Sequence, residues 1–188
     1  MLKIAIFSSA NPTFTSKNKR LAENIAAYLV NKKITVVTGG CVGLPSVVVA
    51  EAYRRGGNTV GYFPDVNETQ RHKNAPIHNN DRENHYTHKK FYQGFSYRSV
   101  RIVEDVDGAI VFNGRIGTLS EFTISAEEGL KVAVITRTGG MADEIKSIGR
   151  LVNREFPKND IFFTPNYKHA IDSLIRHIKS EPKLGSRG

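Results

Sequence analysis

The sequence predicts an α/β fold in which one doubly wound parallel sheet carries helices on both faces. Two observations lead to this prediction: near-continuous apolar segments of strand length, and amphipathic segments with helical spacing between them. Strands of a parallel sheet are buried on both faces, so they are apolar along their whole length. Their alternation with helices is typical of this architecture.

Six apolar segments are predicted as strands. They lie at residues 2–7, 34–38, 59–63, 108–112, 131–135 and 161–163. Between them, apolar residues recur every three or four positions, as at Leu21, Ile25 and Leu29 in the first predicted helix. The C-terminal helix shows the same pattern at Ile171 and Leu174, so helices are expected to cover both faces of the sheet.

The region between the third and fourth predicted strands is the least regular. From Val66 to about Tyr86 the sequence is polar, and we expect an irregular loop of the kind that often covers a substrate. The segment from about 89 to 106 is predicted as a helix. Its apolar stripe consists of Phe95, Ser99, Ile102, Val103 and Val106.

The composition is that of a folded globular protein with a surplus of positive charge. The 188 residues include 27 Lys and Arg against 18 Asp and Glu, a formal net charge of +9, which indicates phosphate-bearing partners. Charge alone does not choose among nucleic acid, nucleotide and membrane surface. The basic residues of the C-terminal helix, among them Arg176 and Lys179, are interpreted as a solvated face.

The length favours one domain over residues 1–180, followed by a flexible tail at 181–188. No apolar run approaches the roughly twenty residues that span a bilayer, and the residues after Met1 do not form a signal peptide. The single cysteine, Cys41, excludes an intramolecular disulfide framework. We therefore expect a cytoplasmic protein without a membrane segment.

A ligand site is expected at the carboxyl ends of the strands, where helix N-termini present backbone N–H groups. Two glycine turns occur there, GGCVG at 39–43 and NGRIGT at 113–118. They either let the backbone approach a phosphate closely or only serve tight turns between strand and helix. The residues predicted to bind nucleotide or phosphate are Ser8, Ser9, Gly39, Gly40, Gly43, Asn113, Gly114, Arg115, Gly117 and Thr118.

Several common sites are excluded. The turn after the first strand does not read G-x-G-x-x-G, which argues against ordinary NAD binding, and the absence of G-x-x-x-x-G-K-[ST] excludes a P-loop NTPase. His85 and His88 have helical spacing but lack a third ligand, so neither a metal nor a cofactor is predicted. Cys41 is interpreted as a small residue that fills a turn.

Glu121 has two interpretations. Thr118 and Glu121 have the spacing of a capping box, in which both side chains satisfy N–H groups at the helix start. Alternatively, Glu121 lies in the first helical turn at the mouth of the cleft, as a carboxylate that polarises water or balances a developing cation. The local sequence favours the cap.

Arg98 stands at the border of the apolar face of the helix predicted at 89–106. At about 100° per residue it lies roughly 80° from the centre of that face, whereas Arg101 lies about 140° away and points to solvent. An arginine at such a border is either a structural residue with its stem on the apolar surface or a bidentate clamp for phosphate or carboxylate.

Two segments resemble motifs of the LOG family. Residues 38–46 (TGGCVGLPS) are similar to G-G-G-x-x-G-L-M-G, and residues 113–121 (NGRIGTLSE) are similar to P-G-G-x-G-T-x-x-E. The family consists of Rossmann-like homodimers, and its characterised members hydrolyse nucleoside 5'-monophosphates to a free base and ribose 5-phosphate. The resemblance covers about residues 2–136 and implies the same fold, activity and homodimer here.

The resemblance also implies two catalytic residues. The family's catalytic arginine lies sixteen residues before the first glycine of the second motif, which is Arg98 here, and its catalytic glutamate falls on Glu121. By analogy, Glu121 stabilises the oxocarbenium-like ribosyl centre or orients water, and Arg98 holds the ribose phosphate or the glutamate. The helix N-termini after Gly43 and Gly117 would take the phosphate.

This sequence departs from the two motifs at Thr38, Pro45, Ser46, Asn113 and Arg115. The long cationic side chain of Arg115 either clamps a larger phosphorylated ligand or obstructs the nucleotide pocket. Two functions are therefore weighed first: a phosphoribohydrolase, and a non-catalytic binder of a nucleotide or a phosphorylated cofactor such as the molybdenum cofactor. Nucleic-acid binding, as in the related DNA processing protein A, ranks last because the basic residues are dispersed.

Overall fold

The computed structural model describes residues 1–78, 84–152, 156 and 160–181. The strands in these ranges are β1 (Lys3–Phe7), β2 (Thr35–Thr38), β3 (Thr59–Phe63), β4 (His88–Phe91), β5 (Gly108–Phe112), β6 (Lys131–Ile135) and β7 (Ile161–Thr164). The helices are α1 (Ser16–Asn31), α2 (Leu44–Arg54), α3 (Glu68–His78), α4 (Phe95–Asp105), α5 (Ile116–Glu127), α6 (Met141–Leu151) and α7 (Tyr167–Ser180).

The described strands form one parallel sheet in the order β4-β3-β2-β1-β5-β6-β7. The chain builds outward from β1 to β4 and then crosses to β5, which pairs with the other side of β1 in the register Ile4↔Gly108. Strand order therefore reverses between β1 and β5, and ligands of such sheets bind beside that point. The predicted doubly wound, Rossmann-like α/β fold is confirmed.

The sheet is buried on both faces because successive side chains of a strand point in opposite directions. In β1, Ile4 and Ile6 pack with α1, α2 and α7, whereas Ala5 and Phe7 pack with α4, α5 and α6. The two cores extend along the sheet, which explains why the central strands are apolar throughout. Of the predicted tail at 181–188, residues 182–188 lie outside the described residues, and the domain boundary stays a prediction.

Two predictions between residues 66 and 106 are wrong. The helix α3 occupies Glu68–His78, where an irregular loop was expected. The helix expected from about 89 begins only at Phe95, because His88–Phe91 forms the edge strand β4 paired with β3. His88 therefore lies in a strand, and His85 and His88 do not share a helical face.

The last residue of α4, Asp105, connects three strands of the sheet. Its carboxylate accepts hydrogen bonds from Lys3 Nζ at 2.8 Å, from Lys90 Nζ at 2.6 Å and from the Tyr62 hydroxyl. Burial alone would raise the pKa of Asp105 above its ordinary value of 3.8. The hydrogen bonds have the larger effect and lower the pKa to about 2. The ionised carboxylate is thus the form that the native structure stabilises.

Acid is expected to weaken this connection. The pKa of Asp105 is about 2 in the native protein, against an ordinary value of 3.8. Its contribution to the free energy of unfolding is therefore complete above about pH 4 and is lost as the pH falls towards 2. Asp105→Asn should lower the free energy of unfolding by about 1.5–3 kcal/mol at pH 6, the range for hydrogen bonds to a charged group. Urea unfolding at pH 6 and pH 2.5 tests this, and an equal deficit at both pH values would contradict it.

Candidate functional site

A cavity of about 380 Å³ opens at the carboxyl ends of β1 and β2, against the first turns of α4 and α5. Of the predicted site residues, its wall contains Ser8, Gly39, Arg98, Arg115, Gly117, Thr118 and Glu121. The other predicted binding residues are not part of the described wall, namely Ser9, Gly40, Gly43, Asn113 and Gly114. The cavity therefore lies beside the reversal of strand order, where the fold favours a ligand.

Arg98 and Glu121 are in contact in the wall of this cavity. Arg98 Nη2 lies 3.1 Å from Glu121 Oε1, and the two side chains are only 6% and 12% exposed. Arg98 comes from the first turn of α4 and Glu121 from the second turn of α5. Two helices on the same face of the sheet thus bring together the two residues to which the LOG resemblance assigns catalysis.

The Arg98 guanidinium is largely occupied by protein groups. Its Nη1 donates to the Gly39 carbonyl at 2.7 Å, and its Nη2 donates to Ser99 Oγ at 3.2 Å as well as to Glu121. Among the described residues, its buried Nε has no hydrogen-bond partner. Of the two roles implied for Arg98, the geometry therefore favours holding the glutamate over clamping a phosphate.

Gly39 is required by the position of this arginine. A Cβ atom on Gly39 would lie 2.3 Å from Arg98 Nη1, so no larger residue fits without displacing the guanidinium. The glycine turn after β2 consequently serves the arginine as well as the backbone. Its carbonyl group is one of the atoms that fix the guanidinium in place.

Glu121 is a weak acid for its type. Burial raises the pKa of Glu121 to about 7, and the charge of Arg98 offsets this only in part. At neutral pH the carboxyl group is therefore close to half ionised, which is a state suited to proton transfer. Oε1 accepts from Arg98, and no described residue donates to Oε2.

The capping interpretation of Glu121 is wrong, because the helix does not begin where a cap at Thr118 would require. The N-cap is Arg115, and Thr118 is the third residue of α5. Thr118 Oγ1 accepts from the Arg115 N–H at 3.4 Å and donates to the Ser8 carbonyl at 3.1 Å. Glu121 lies one turn further on, so it contributes nothing to the cap.

The two helix N-termini at the cleft are not equivalent. In α2, the Leu44 N–H donates to the Ser9 carbonyl at 3.0 Å, and Pro45 has no N–H to donate. In α5, Ile116 and Gly117 lie in the cavity wall, and the first N–H groups of a helix have no intrahelical acceptor. Of these two helices, α5 is therefore the one that offers a row of backbone donors to an anion.

Arg115 adds a positive side chain at the same helix end. It is exposed and forms part of the cavity wall. The described wall contains two arginines, Arg98 and Arg115, and one carboxyl group, Glu121, which contacts Arg98 and is about half ionised at neutral pH. The cleft is therefore electropositive at the N-terminus of α5.

Gly43 shapes the turn before α2 rather than the cavity. Its φ is +89°, and a Cβ atom there would lie 2.4 Å from the Ser9 carbonyl oxygen and 2.7 Å from that of Asn11. We expect Gly43→Ala to lower the free energy of unfolding by at least about 2 kcal/mol, because both the strain and the contact involve backbone. Gly56→Ala is the control. The φ of Gly56 is +74°, so the backbone strain is similar, but a Cβ atom there would meet no atom within 4 Å. A urea series that gives equal losses would contradict the role of the close contact.

The departure at Asn113 has a structural reason. Its φ is +53°, a left-handed value that asparagine tolerates and that the proline of the family motif is unable to adopt. Its Oδ1 accepts from the Gly114 N–H at 2.8 Å, and its Nδ2 donates to the Thr138 carbonyl at 2.9 Å. Asn113 and Gly114 therefore build the turn that carries Arg115.

Sequence reasoning missed the apolar part of the wall. Phe95 and Ile116 both line the cavity and are 44% and 77% exposed, although Phe95 was placed in the apolar stripe of its helix. The position of Ile116 inside the second glycine motif was the available signal. Cys41 also lines the cavity, but burial raises the pKa of its thiol, so it is a poor nucleophile.

Neither a metal site nor a membrane-spanning helix occurs within the described ranges. No group of three or more His, Cys, Asp or Glu residues there has the arrangement of a metal site. None of the helices in those ranges combines the length and apolar character that crossing a membrane requires.

Fold and cavity together define a Rossmann-like protein with an electropositive cleft at the carboxyl ends of its strands. The chain belongs to the SLOG cluster4 family, whose family model matches residues 1–161. This match confirms the resemblance to LOG-type proteins. A search with the sequence found no match among curated proteins.

Solved structures of low sequence identity share the fold. The structural-genomics protein TM1055 superimposes with a TM-score of 0.77 at 19% identity, covering 94% of this chain and 99% of its own. The molybdenum cofactor binding protein from Rippkaea orientalis gives 0.72 at 19%, covering 95% and 97%. DNA processing protein A from Helicobacter pylori, described with a single-stranded DNA binding mode, gives 0.62 at 17%, covering 93% and 80%.

Proposed function

We propose that the protein is a phosphoribohydrolase that splits a nucleoside 5'-monophosphate into a free base and ribose 5-phosphate. The observation that supports this most is the Glu121 carboxylate, which lies in the cleft wall 3.1 Å from Arg98 Nη2. A carboxylate in a largely water-excluded wall stabilises a developing positive charge far better than one in bulk water. The proposed reaction generates such a charge at the ribose.

The phosphate end of the substrate is assigned to α5. The backbone donors of Ile116 and Gly117 and the Arg115 guanidinium lie at one end of the cavity, and Glu121 lies one turn further along the same helix. A phosphate at a helix N-terminus gains both hydrogen bonds and dipole attraction. The ribose then extends from the phosphate towards Glu121.

The chemical step breaks the bond between the ribose C1' and the base nitrogen, and the nitrogen keeps the electron pair. Glu121 balances the oxocarbenium-like charge on the ribose and orients a water molecule towards C1'. The water oxygen bonds to C1' and gives one proton to Glu121, whose pKa of about 7 lets it pass that proton to the departing base or to solvent.

Apart from the proton that Glu121 receives from the water molecule, the described wall offers the leaving base little assistance. Glu121 is the sole carboxylate of the described cavity wall, and the nearby Cys41 thiol is held in its protonated, weakly acidic form by burial, which raises its pKa. Base departure therefore depends on the leaving group itself. We expect faster hydrolysis of nucleotides whose bases leave readily.

The direct test incubates the pure protein with a panel of purine, pyrimidine and N6-substituted adenosine monophosphates. Chromatography of the free base and a reducing-sugar assay for ribose 5-phosphate should show equal molar amounts of both products. The matching nucleosides without phosphate are the controls, and they should react far more slowly. Absence of free base from every nucleotide would overturn the proposal.

Arg115→Ala should weaken substrate binding by about 10- to 100-fold, the value of a charge-assisted hydrogen bond, with a smaller effect on kcat. The exposed Arg20→Ala on α1 is a control of equal charge change. Steady-state kinetics of both variants measure the effect. A lower KM in Arg115→Ala would instead show that this side chain obstructs the pocket.

A second candidate is a non-catalytic binder of a nucleotide or phosphorylated cofactor. Arg115 in place of a motif glycine favours it, and so does the likeness to a protein described as binding the molybdenum cofactor. Native mass spectrometry of the purified protein, with a nucleotide added, distinguishes the two. A ligand retained without turnover supports the binder, whereas base release that depends on Glu121 refutes it.

Three further expectations rest on the sequence and the LOG resemblance. They are a homodimer, a cytoplasmic location and the absence of nucleic-acid binding. The likeness to DNA processing protein A makes the last one worth testing, since that protein shares this fold. Binding of single-stranded DNA at low salt, where phosphate contacts are strongest, would contradict it.

A further inference from the structure

A second cavity lies at the opposite edge of the sheet from the candidate site. It has a volume of about 630 Å³ and lies where Leu2 leads into β1 and Ile34 leads into β2. The end of α1 and the last turns of α7 complete its wall. Because it lies at the amino ends of the strands, it shares no wall residue with the cleft that contains Glu121.

Positive side chains surround this cavity. They are Lys32, Lys33, Arg176 and Lys179, and the acidic residue among them is Asp172. Asp172 pairs with Lys32 at 2.9 Å and accepts a hydrogen bond from the Tyr28 hydroxyl at 2.8 Å. Within the described residues, Asp172 forms an ion pair within 4.0 Å only with Lys32, although the charge of Arg176 also helps to lower the pKa of Asp172.

Helix dipoles do not account for all of this charge. Two helices, α1 and α7, end near the cavity, and each C-terminus carries about half a negative charge. Together they offset about one of the other three cations. A surplus of positive charge therefore remains at the rim.

The inner part of the cavity is apolar and aliphatic. Ile34 in the wall is 3% exposed, and Leu2 and Ile175, also in the wall, are partly buried. The volume is within the range of about 300–1,000 Å³ that is usual for sites of small ligands. An aliphatic wall under a cationic rim suits a molecule that has both characters.

The geometry points to a second ligand site for an organic anion with an aliphatic body and a phosphate or carboxylate head group. The body packs against Ile34, Leu2 and Ile175, and the head group contacts Arg176, Lys179 and Lys33. This site is independent of the proposed hydrolysis, because no residue is common to the two cavities. The basic residues of α7, which the sequence suggests are merely solvated, thus have a specific role.

The test uses octyl phosphate as the probe, with inorganic phosphate and octan-1-ol as its separate halves. Isothermal titration calorimetry at physiological ionic strength should show saturable binding of octyl phosphate and at least tenfold weaker binding of either half. Octanoate, as the carboxylate counterpart, identifies the preferred head group. Equal binding of phosphate alone, or no saturable binding of octyl phosphate, would overturn the inference.

The variant Arg176→Gln/Lys179→Gln should weaken octyl phosphate binding at least tenfold. Its matched control is Lys19→Gln/Lys168→Gln, which removes the same charge from exposed first-turn residues of α1 and α7. The same titration with Lys33→Gln gives a second measurement if the double variant folds poorly. Unchanged binding in Arg176→Gln/Lys179→Gln, or in Lys33→Gln when that variant is the one measured, would contradict the site.

Further arms of the experiment test whether the partner is instead a polynucleotide or a membrane surface. Oligo(dT) of increasing length and vesicles of phosphatidylglycerol present the same phosphate chemistry on a polymer and on a surface. The proposed site should bind neither more tightly than octyl phosphate. Tighter binding of either one that disappears in Arg176→Gln/Lys179→Gln would replace the small-ligand site by a polynucleotide or membrane surface.

Discussion

Glu121→Gln is expected to reduce base release by about 10²- to 10⁴-fold, the usual contribution of a general acid or base. The amide keeps the size of the side chain and its hydrogen bond from Arg98 but has neither the negative charge nor the titration. Its KM should change little, because the proposed phosphate site is at the N-terminus of α5 and not at Glu121. Glu128→Gln at the exposed end of the same helix is the control and should retain full activity.

The pH profile adds an independent readout for Glu121. The carboxylate is the active form, and its pKa is about 7, so kcat/KM should rise about tenfold between pH 6 and pH 8. The substrate phosphate also titrates near pH 6, but it does so equally in Glu121→Gln. Residual activity that keeps the same rise with pH in Glu121→Gln would show that another group is responsible.

Arg98→Ala is expected to have the largest effect on stability. It leaves the buried carboxyl of Glu121 and the Gly39 carbonyl without their donor. Removing one partner of a buried ion pair costs about 3–5 kcal/mol, which corresponds to a fall in Tm of roughly 10 °C for a domain of this size. Thermal unfolding followed by circular dichroism measures it.

The stability deficit of Arg98→Ala should depend on pH. The pKa of Glu121 is already above its ordinary value of 4.5 in the native protein, and loss of the guanidinium raises it further. The native state then binds more protons than the unfolded state, so stability falls as the pH rises above about 4.5. The deficit relative to the wild type should therefore be larger at pH 8 than at pH 5.

A double variant separates this pairing from simple loss of packing. Arg98→Ala/Glu121→Gln should lose less stability than the sum of the two single variants, because no buried charge is left without its partner. Urea unfolding of all four proteins at pH 8 gives the interaction free energy. Additive losses would mean that Arg98 and Glu121 act separately.

The central part of the fold was predictable because its strands are buried on both faces. The alternation of Ile4 and Ile6 with Ala5 and Phe7 between two cores makes β1 apolar throughout, which the hydrophobic pattern detects. The edge strand β4 was not predicted, because its sequence is HKKF and none of its four residues is fully buried. Charged residues are a common feature of edge strands, since they discourage pairing with other chains.

The helix α3 was not predicted for a different reason. Among residues 68–74 of α3, whose side chains the structure describes, the buried one is an arginine: Arg71 is 1% exposed, lies 4.4 Å above the Phe63 ring and pairs with Glu68 at 2.5 Å. A search for apolar residues at helical spacing does not find an element held by a buried cation. The pattern there is dominated by polar residues and therefore predicts a loop.

Sequence reasoning selected several residues that the structure brings together in one cavity wall, but it did not reveal the contacts among them. Helical geometry placed Arg98 at the border of the buried face, and motif spacing selected Glu121. Neither argument reveals that Arg98 donates to the Gly39 carbonyl. That contact joins helix α4 to the turn after β2, and the two residues are 59 positions apart in the chain. The apolar neighbours Phe95 and Ile116 depend on the same long-range assembly.

The N-termini of α2 and α5 differ in the backbone N–H groups that they leave free, and this difference determines how an anion would be oriented in the cleft. With the Leu44 N–H bonded to Ser9 and no N–H on Pro45, α5 rather than α2 attracts the charged end of a ligand. A molecule with a phosphate at one end therefore has one favourable way to enter. For the proposed reaction, an analogue that carries its phosphate on the 3'- instead of the 5'-oxygen would place the sugar in the reverse sense, so we expect a backbone feature to make nucleoside 3'-monophosphates poor substrates.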